Sequence, residues 1–148
     1  MSTGCPARTA REVLGLYQRA VLDQSAGDLA SLYAADGVHE IPFMFPGMPE
    51  RYTGRDEIRA AYGRAWSASP AKPAQFCDVE IHAAADADTI VVEQTLTGLN
   101  TATGASFRFP GVLVLRVRNG ELIRTRDYMD GLRIANAMGR TQPPGDTT

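Results

Sequence analysis

The stretch that decides the fold is residues 112–128, Val112-Leu-Val-Leu-Arg-Val-Arg-Asn-Gly-Glu-Leu-Ile-Arg-Thr-Arg-Asp-Tyr128. Two runs that favour β-strands, 112–117 and 121–128, flank the dipeptide Asn119-Gly120. This pattern is typical of a β-hairpin. The hairpin ends on Asp127, just before a short helical pattern. The direction of the Asp127 side chain therefore decides what chemistry the chain can do.

Two registers of this hairpin are compatible with the sequence. A two-residue turn at Asn119-Gly120 pairs Arg118 with Glu121 and places Asp127 on the face of Arg116 and Arg118. A three-residue loop, with Gly120 in the left-handed position, shifts the register by one residue. We favour the second register because it separates an apolar face from an arginine-rich face. Asp127 then shares its face with Leu113, Leu115, Val117, Ile123 and Thr125, while Arg116, Arg124 and Arg126 lie opposite.

The rest of the chain predicts helices followed by strands. Apolar residues at helical spacing indicate helices over Ala7–Gln24, Leu29–Ala34 and Arg55–Trp66, with a last short helix over Gly131–Met138. Strand patterns cover Val38–Phe43, Gln75–Ala83, Thr89–Leu99, Ser106–Arg118 and Glu121–Tyr128, and the loops are Met44–Tyr52 and Ser67–Ala74. Helices first and antiparallel strands after indicate an α+β fold, with helices on one face of a bent sheet.

Composition limits the possible partners. The length of 148 residues with 44% hydrophobic content suits one domain over residues 1–148, with an ordered core over about 8–139 and a polar tail over 140–148. The net charge of -2 gives no reason to expect nucleic acid or an anionic membrane as a partner. No apolar run is long enough to span a bilayer. Cys5 and Cys77, without a signal peptide, favour the reducing cytoplasm.

Several arginines of the predicted sheet invite comparison with a nucleic-acid-binding patch. Interleaved aromatic residues are lacking, and acidic residues are near in sequence. A solvated or dimer-facing sheet surface is therefore the favoured interpretation for Arg108, Arg116, Arg118, Arg124 and Arg126.

The order of several short motifs resembles a known family. These motifs are Ala26-Gly-Asp-Leu29, Asp36-Gly-Val-His-Glu-Ile-Pro42, Gly54-Arg-Asp-Glu-Ile58 and, at the end of the last strand, Gly120-Glu-Leu-Ile-Arg-Thr-Arg-Asp-Tyr-Met-Asp130. Over about residues 8–139 the chain resembles the SnoaL-like group of the nuclear transport factor 2 superfamily. The resemblance implies a cone-shaped, mostly antiparallel curved sheet wrapped around helices, an apolar internal pocket, and a homodimer formed through the outer face of the sheet. It also implies no metal and no organic cofactor.

The family contains polyketide cyclases, ketosteroid isomerases, epoxide hydrolases and phenazine-biosynthesis proteins, and its catalytic residues match this chain only in part. Asp127 matches the acid/base aspartate of the cyclases. The arginine and aspartate that complete the epoxide hydrolase triad fall on Gln94 and Leu96. The isomerases' base falls on Ile41 and their tyrosine near Ala20. Leu113 takes the place of the cyclases' histidine.

Three polar residues are candidates for catalysis. Asp127, inside an apolar cavity, would have a raised pKa and exchange protons near neutral pH, or it would be a structural carboxylate that caps the following helix. His39 shares a strand face with Ile41 and Phe43, and either orients a proton or is structural, while Glu40 points outward. Gln94, among Ile90, Val92 and Leu96, either donates to a substrate carbonyl or makes a structural hydrogen bond.

Apolar residues complete the predicted pocket. The aromatic residues at helical spacing belong either to the core or to a substrate site, and the loop residues Phe43, Met44, Phe45 and Met48 favour a pocket mouth. The predicted pocket residues are Tyr17, Ile41, Phe43, Tyr62, Trp66, Leu96, Leu113 and Leu115.

Three functions are compatible with these residues. The first is a cofactor-independent cyclase or isomerase that acts by acid/base catalysis on an apolar, carbonyl-bearing small molecule such as a polyketide intermediate. The second is a limonene-type epoxide hydrolase, which needs a water-orienting pair that Gln94 and Leu96 do not provide. The third is a small-molecule-binding protein without chemistry, in which Asp127 is structural.

Overall fold

The computed structural model describes residues 6–44 and 48–139, so the predicted tail 140–148, Cys5 and Phe45 lie outside the described residues. The described residues form four helices, α1 (Ala10–Leu22), α2 (Ala26–Ser31), α3 (Arg55–Ala68) and α4 (Gly131–Ala137). The same part of the chain forms six strands, β1 (Tyr33–Glu40), β2 (Arg51–Thr53), β3 (Ala71–Ala83), β4 (Thr89–Asn100), β5 (Ser106–Arg118) and β6 (Glu121–Met129). The predicted α+β class is confirmed.

The strands form one curved, unclosed sheet in the order β2-β1-β6-β5-β4-β3. All neighbouring strands are antiparallel except β1 and β6, which run parallel. Helix α1 packs on β3, β4 and β5, and α3 packs on β1 and β2. The apolar faces of α1 and the sheet meet in the hydrophobic core, where Val13, Leu29, Val92, Leu115 and Leu122 have no exposed surface.

The β5–β6 hairpin closes through a two-residue turn, so the predicted three-residue loop is wrong. Asn119 and Gly120 have φ angles of 52° and 78°, which a type I′ turn requires. A β-bulge follows, because Val117 pairs with Leu122 but Arg116 pairs with Arg124, which leaves Ile123 as the extra residue.

The bulge shifts the register by one residue, as the expected three-residue loop would have done, but in the opposite direction. Beyond it, Leu115 pairs with Thr125 and Leu113 with Asp127. Asp127 therefore lies on the apolar face with Leu113, Leu115 and Thr125, as predicted, while Arg124 and Arg126 lie on the outer face. The face predicted for Asp127 was correct although the turn prediction was wrong, because either device moves the register by one residue. The face predicted for Ile123 was wrong, because Ile123 is the extra residue of the bulge and Leu122 is the fully buried residue at this point of the strand.

Long-range strand pairing accounts for the other differences from the sequence prediction. Strand β1 begins at Tyr33, where a helix was expected, because Tyr33 pairs with Leu122 of β6. Strand β2 lies in the predicted loop and pairs with β1 through Thr53 and Val38. These pairings join residues far apart in sequence, and local propensity does not encode them.

The bounds of α1 follow from local chemistry. Thr9 caps the helix, its side chain accepting from the Glu12 amide while Glu12 reaches back to the Thr9 amide. The helix buries Val13, Leu14 and Tyr17 against the sheet. None of the helices in residues 6–44 and 48–139 is long and apolar enough to cross a membrane.

Candidate active site: the Asp127 cavity

A cavity of about 230 Å³ lies between the inner face of the sheet and the helices. Asp127 of β6 is the charged side chain among the described residues that line it, and Gln94 lines it from β4, two strands away in the sheet. Most of the remaining wall is apolar or aromatic. The aromatic rings come from helices and strands alike: Tyr17, Tyr62, Trp66, Phe76, Phe107 and Phe109.

Asp127 reaches this cavity from β6. The residue is half-buried and lines the cavity. Burial raises the pKa of the Asp127 carboxyl to about 7, with no hydrogen bond or charge partner contributing within the described part of the chain. At neutral pH both protonation states are therefore populated, so the group can accept and return a proton.

A second polar group in the wall, Tyr62, belongs to a buried hydrogen-bonded chain. The Tyr62 hydroxyl lies 2.6 Å from His39 Nε2, and His39 Nδ1 lies 2.7 Å from the Tyr33 hydroxyl. Tyr33 in turn donates to Thr125 Oγ1 at 3.0 Å. The chain thus connects the cavity wall on α3 with the strand that carries Asp127.

His39 is neutral in this chain. Burial lowers the pKa of His39 to about 3, so one ring nitrogen donates and the other accepts at physiological pH. Because the Tyr33 hydroxyl donates to Thr125, His39 Nδ1 donates to Tyr33 and His39 Nε2 accepts from Tyr62. Thr125 also has a hydroxyl, so the opposite order of donors satisfies the same four groups and turns the Tyr62 hydroxyl toward the cavity.

Replacing His39 with leucine is expected to lower the free energy of unfolding by roughly 2–4 kcal/mol. The hydroxyls of Tyr33 and Tyr62 both form hydrogen bonds with the buried His39 ring. Leucine cannot form these bonds, so both hydroxyls lose this partner. Urea denaturation measures the loss. His82→Leu is the matched control, because His82 lies on the exposed side of β3. Equal stability of the two variants would show that the hydrogen-bonded chain contributes nothing.

Gln94 is oriented by a partner that the sequence did not reveal. Gln18 Nε2 on α1 donates to Gln94 Oε1 at 2.8 Å. The oxygen of the Gln94 amide is thereby occupied, and its two N–H donors remain for the cavity that Gln94 lines. Gln94 therefore makes a structural hydrogen bond through its oxygen and keeps its N–H groups for a ligand. The structure is thus compatible with both interpretations from the sequence, a structural hydrogen bond and a donor to a substrate carbonyl.

The structure brings together seven of the residues predicted for the site and leaves four elsewhere. The cavity wall contains Asp127, Gln94, Tyr17, Tyr62, Trp66, Leu96 and Leu113. His39 is fully buried and hydrogen-bonded to Tyr62, while Ile41 and Leu115 are buried residues outside the lining. Phe43 is 66% exposed and lies in a different depression. Glu40 points outward, where Arg124 binds it at 2.9 Å.

Sequence reasoning missed several wall residues. Phe107 and Phe109 alternate with Leu113 along β5, so the same period of two that placed Leu113 indicates them too. Met129 and Ile134 join the wall from the end of β6 and from α4. No local signal identifies those two, because their position depends on where α4 folds back.

A larger depression of about 860 Å³ lies on the outer side of the sheet. It is an open groove bordered by Phe43, Tyr128 and Leu132, and the Phe43 and Tyr128 rings lie 5.3 Å apart. Volume alone favours this groove, but Asp127 does not line it. The smaller and more enclosed cavity is the better candidate site because it combines a perturbed carboxyl with an apolar wall.

One group of possible metal ligands is found within residues 6–44 and 48–139. The ligand atoms of Glu80, His82 and Glu93 lie within 4.8 Å of one another, and all three residues are exposed. His82 Nε2 lies 2.8 Å from Glu93 Oε2, so an ordinary surface contact accounts for their proximity. The group lies on the outer face, away from the Asp127 cavity.

Comparisons with known proteins place this geometry in a family. The model of the SnoaL-like domain matches residues 13–125. An uncharacterised PhzA/B-like protein of Pseudomonas aeruginosa is 29% identical over 134 residues, which cover 88% of this chain and 90% of that protein.

Solved structures share the same fold. A Bacillus subtilis protein provisionally called an isomerase superposes with a TM-score of 0.80 at 25% identity, over 89% of this chain and 94% of that one. A Pseudomonas putida protein provisionally called a polyketide cyclase gives a TM-score of 0.69 at 19% identity, over 89% of this chain and 99% of that one. The family match spans most of the chain and confirms the resemblance found in the motifs. The protein belongs to the SnoaL-like domain family.

Proposed function

We propose that the protein is a cofactor-independent enzyme that moves a proton on an apolar, carbonyl-bearing small molecule, as an isomerase or a cyclase. The single observation that carries this proposal is the Asp127 carboxyl, whose pKa burial raises to about 7 in the wall of an aromatic-lined cavity. A base with a pKa near the working pH combines a useful deprotonated fraction with sufficient basicity. The cyclase and isomerase names of structural neighbours are compatible with this chemistry.

The proposed reaction begins with the carboxylate form of Asp127. It removes a proton from the carbon next to a carbonyl, and the C–H electron pair moves into an enolate. The protonated Asp127 then returns its proton to the substrate. Return to another carbon of the conjugated system completes an isomerisation. In a cyclisation the enolate carbon attacks a second carbonyl of the same molecule, and Asp127 protonates the alkoxide that forms.

Two groups are positioned to stabilise the enolate oxygen. Gln94 lines the cavity, and within the described residues its side-chain N–H groups have no hydrogen-bond partner, since Gln18 binds the oxygen of that amide. The Tyr62 hydroxyl donates as well when the order of hydrogen bonds through His39 is reversed. In this proposal His39 is a positioning residue that acts through Tyr62, and it does not touch the substrate.

The test is hydrogen exchange at the carbon next to the carbonyl. Uncharged ketones incubated with the protein in deuterated water are expected to gain deuterium at that carbon faster than with buffer, as followed by proton NMR. Binding of the ketones without exchange would favour the alternative of a binding protein without chemistry. Epoxide hydrolysis is a weaker candidate, because Asp127 is the one carboxylate among the described lining residues and no charged pair orients water.

Replacing Gln94 with leucine is expected to slow this exchange by roughly 10²-fold, because one donor to the enolate oxygen is lost. Leucine suits the position, since Leu96 already occupies the same strand face. Gln75→Leu on exposed β3 is the control for the loss of an amide. An unchanged exchange rate in the folded Gln94 variant would remove Gln94 from the mechanism.

We also propose, following the family resemblance, that two copies of the chain pair through the outer face of the sheet and that the protein acts in the cytoplasm. That face carries Val112 and Val114 between ion pairs, such as Arg108 with Asp78 at 2.9 Å. Sedimentation at micromolar concentration is expected to give the mass of a dimer. A monomeric mass would contradict the pairing.

A further inference from the structure

We infer that the substrate of the Asp127 cavity is an uncharged ketone of one or two fused rings. This inference rests on the proposed function and narrows its substrate class. Three properties of the cavity carry it, namely its volume, the way its walls are held, and the absence of a cationic side chain among its described lining residues.

The volume sets the upper size. The cavity holds about 230 Å³, whereas pockets for drug-sized ligands measure roughly 300–1,000 Å³. An engineered apolar cavity of roughly 150 Å³ binds benzene. The Asp127 cavity is therefore about one and a half times as large as a site that takes one aromatic ring. One ring with substituents, or two compact fused rings, fits this space, and a four-ring skeleton does not.

Aromatic stacking keeps the walls in place. The Tyr62 and Trp66 rings lie 4.9 Å apart on α3, and the Phe107 and Phe109 rings stack 4.4 Å apart on β5. Phe107 is buried, so a larger ligand would have to displace a packed ring. Close-packed interiors resist such expansion.

The remaining wall, which contains Ile134 of α4, is tied to the sheet. Asn100 at the end of β4 is buried, and its Nδ2 donates to the Ala137 carbonyl of α4 at 2.9 Å. Ser69 Oγ lies 3.8 Å from Met138 Sδ next to the same helix end. Helix α4 is short, and these contacts hold it over the cavity. The size limit therefore depends on α4 as well as on the rings.

The charge of the wall excludes anionic substrates. Asp127 is the charged residue among the described lining residues, and no lysine, arginine or histidine joins it. A carboxylate on the substrate would lose its hydration and meet the negative charge of Asp127 without a compensating cation. A neutral carbonyl, in contrast, needs one hydrogen bond, which the Gln94 amide can donate.

The experiment compares three ketones under the same conditions in deuterated water. The first is 2-tetralone, which has two rings and no charge, the second is a ring-carboxylated 2-tetralone, and the third is a four-ring 3-keto steroid. Exchange with the Asp127→Asn variant is subtracted from each, so that only the contribution of the carboxyl remains. We expect exchange of 2-tetralone to exceed that of each of the other two by at least roughly 10²-fold, because burying an unpaired charge and displacing a packed ring are both strongly unfavourable.

Different failures have different meanings. Equal exchange of the steroid and 2-tetralone would overturn the size limit, and equal exchange of the carboxylated ketone would overturn the charge limit, while either result leaves the proposed function in place. If none of a broader set of ketones exchanges in an Asp127-dependent way, the proposed function fails and this inference fails with it.

A variant tests the wall itself. Ile134→Ala removes side-chain volume from the α4 wall, so the rate of exchange of a three-ring ketone relative to that of 2-tetralone is expected to be higher with this variant than with the unmodified protein. Leu132→Ala on the exposed side of α4 is the matched control, since Leu132 is 69% exposed and borders the outer groove. The same gain in both variants, or in neither, would contradict the assignment of α4 as a limit on substrate size.

Discussion

Replacing Asp127 with asparagine is expected to slow hydrogen exchange on a ketone substrate by roughly 10²–10⁴-fold, the usual contribution of a positioned base. Asparagine keeps the size and the hydrogen-bonding capacity of the side chain but cannot accept the substrate proton. The fold is expected to remain intact, because no hydrogen bond from within the described residues contributes to the Asp127 carboxyl. Proton NMR of the substrate in deuterated water measures the exchange, and circular dichroism checks the fold.

The pH dependence of the unmodified protein supplies an independent check. Because the base is the carboxylate, kcat/KM is expected to rise as pH increases through about 7 and to level off above that. Below this pH the rate falls about tenfold per unit. A profile that is level from pH 5 to pH 9, or an Asp127→Asn variant with full activity, would remove Asp127 from the mechanism.

The same substitution is expected to stabilise the protein above neutral pH. The pKa of Asp127 is raised from 3.8 to about 7 by burial, so the unfolded chain releases this proton at lower pH than the folded protein does. Stability is therefore lost as pH rises from about 4 to about 7, and the loss is complete above that. The shift corresponds to at most about 4 kcal/mol, since water in the cavity screens part of the penalty.

Asparagine carries no charge at any of these pH values, so the variant does not lose this part of its folding stability as pH rises. Urea denaturation of both proteins at pH 4 and pH 8 measures the effect, and the advantage of the variant is expected only at the higher pH. His39 has a lowered pKa and an opposite pH dependence, but it is present in both proteins and cancels in the difference. Asp36→Asn, on an exposed residue, is the control. A stability difference that is the same at both pH values would contradict a raised pKa.

These two predictions imply a conflict between stability and function at one residue. The Asp127 carboxyl lies in an apolar wall and has no charge partner among the described residues, so it destabilises the folded protein whenever it is ionised. The same desolvation makes it a base near neutral pH. Catalytic groups are often held in such unfavourable surroundings. The Asp127→Asn variant is expected to gain stability and lose activity together, which a purely structural carboxylate would not do.

Local sequence patterns predicted much of this architecture. Helical spacing predicted α1 and α3, alternation predicted β4, β5 and β6, and motif order identified the family, because each of these signals depends on residues close together in sequence. The inward face of Asp127 was predicted for the same reason, since alternation separates Leu113 and Leu115 from the arginines. The predicted turn, in contrast, was wrong, because a bulge and a longer loop produce the same face.

The amino-acid sequence did not predict which side chains contact the site residues. His39 contacts Tyr33 and Tyr62, and Gln94 contacts Gln18, across separations of up to 76 positions in the chain. Which side chains meet across a cavity depends on the relative placement of helices and strands, and apolar packing, not residue pattern, sets that placement. The amino-acid order thus specified a carboxylate facing inward, while three-dimensional packing specified the volume around it, its lack of hydrogen-bond and charge partners among the described residues, and therefore its pKa.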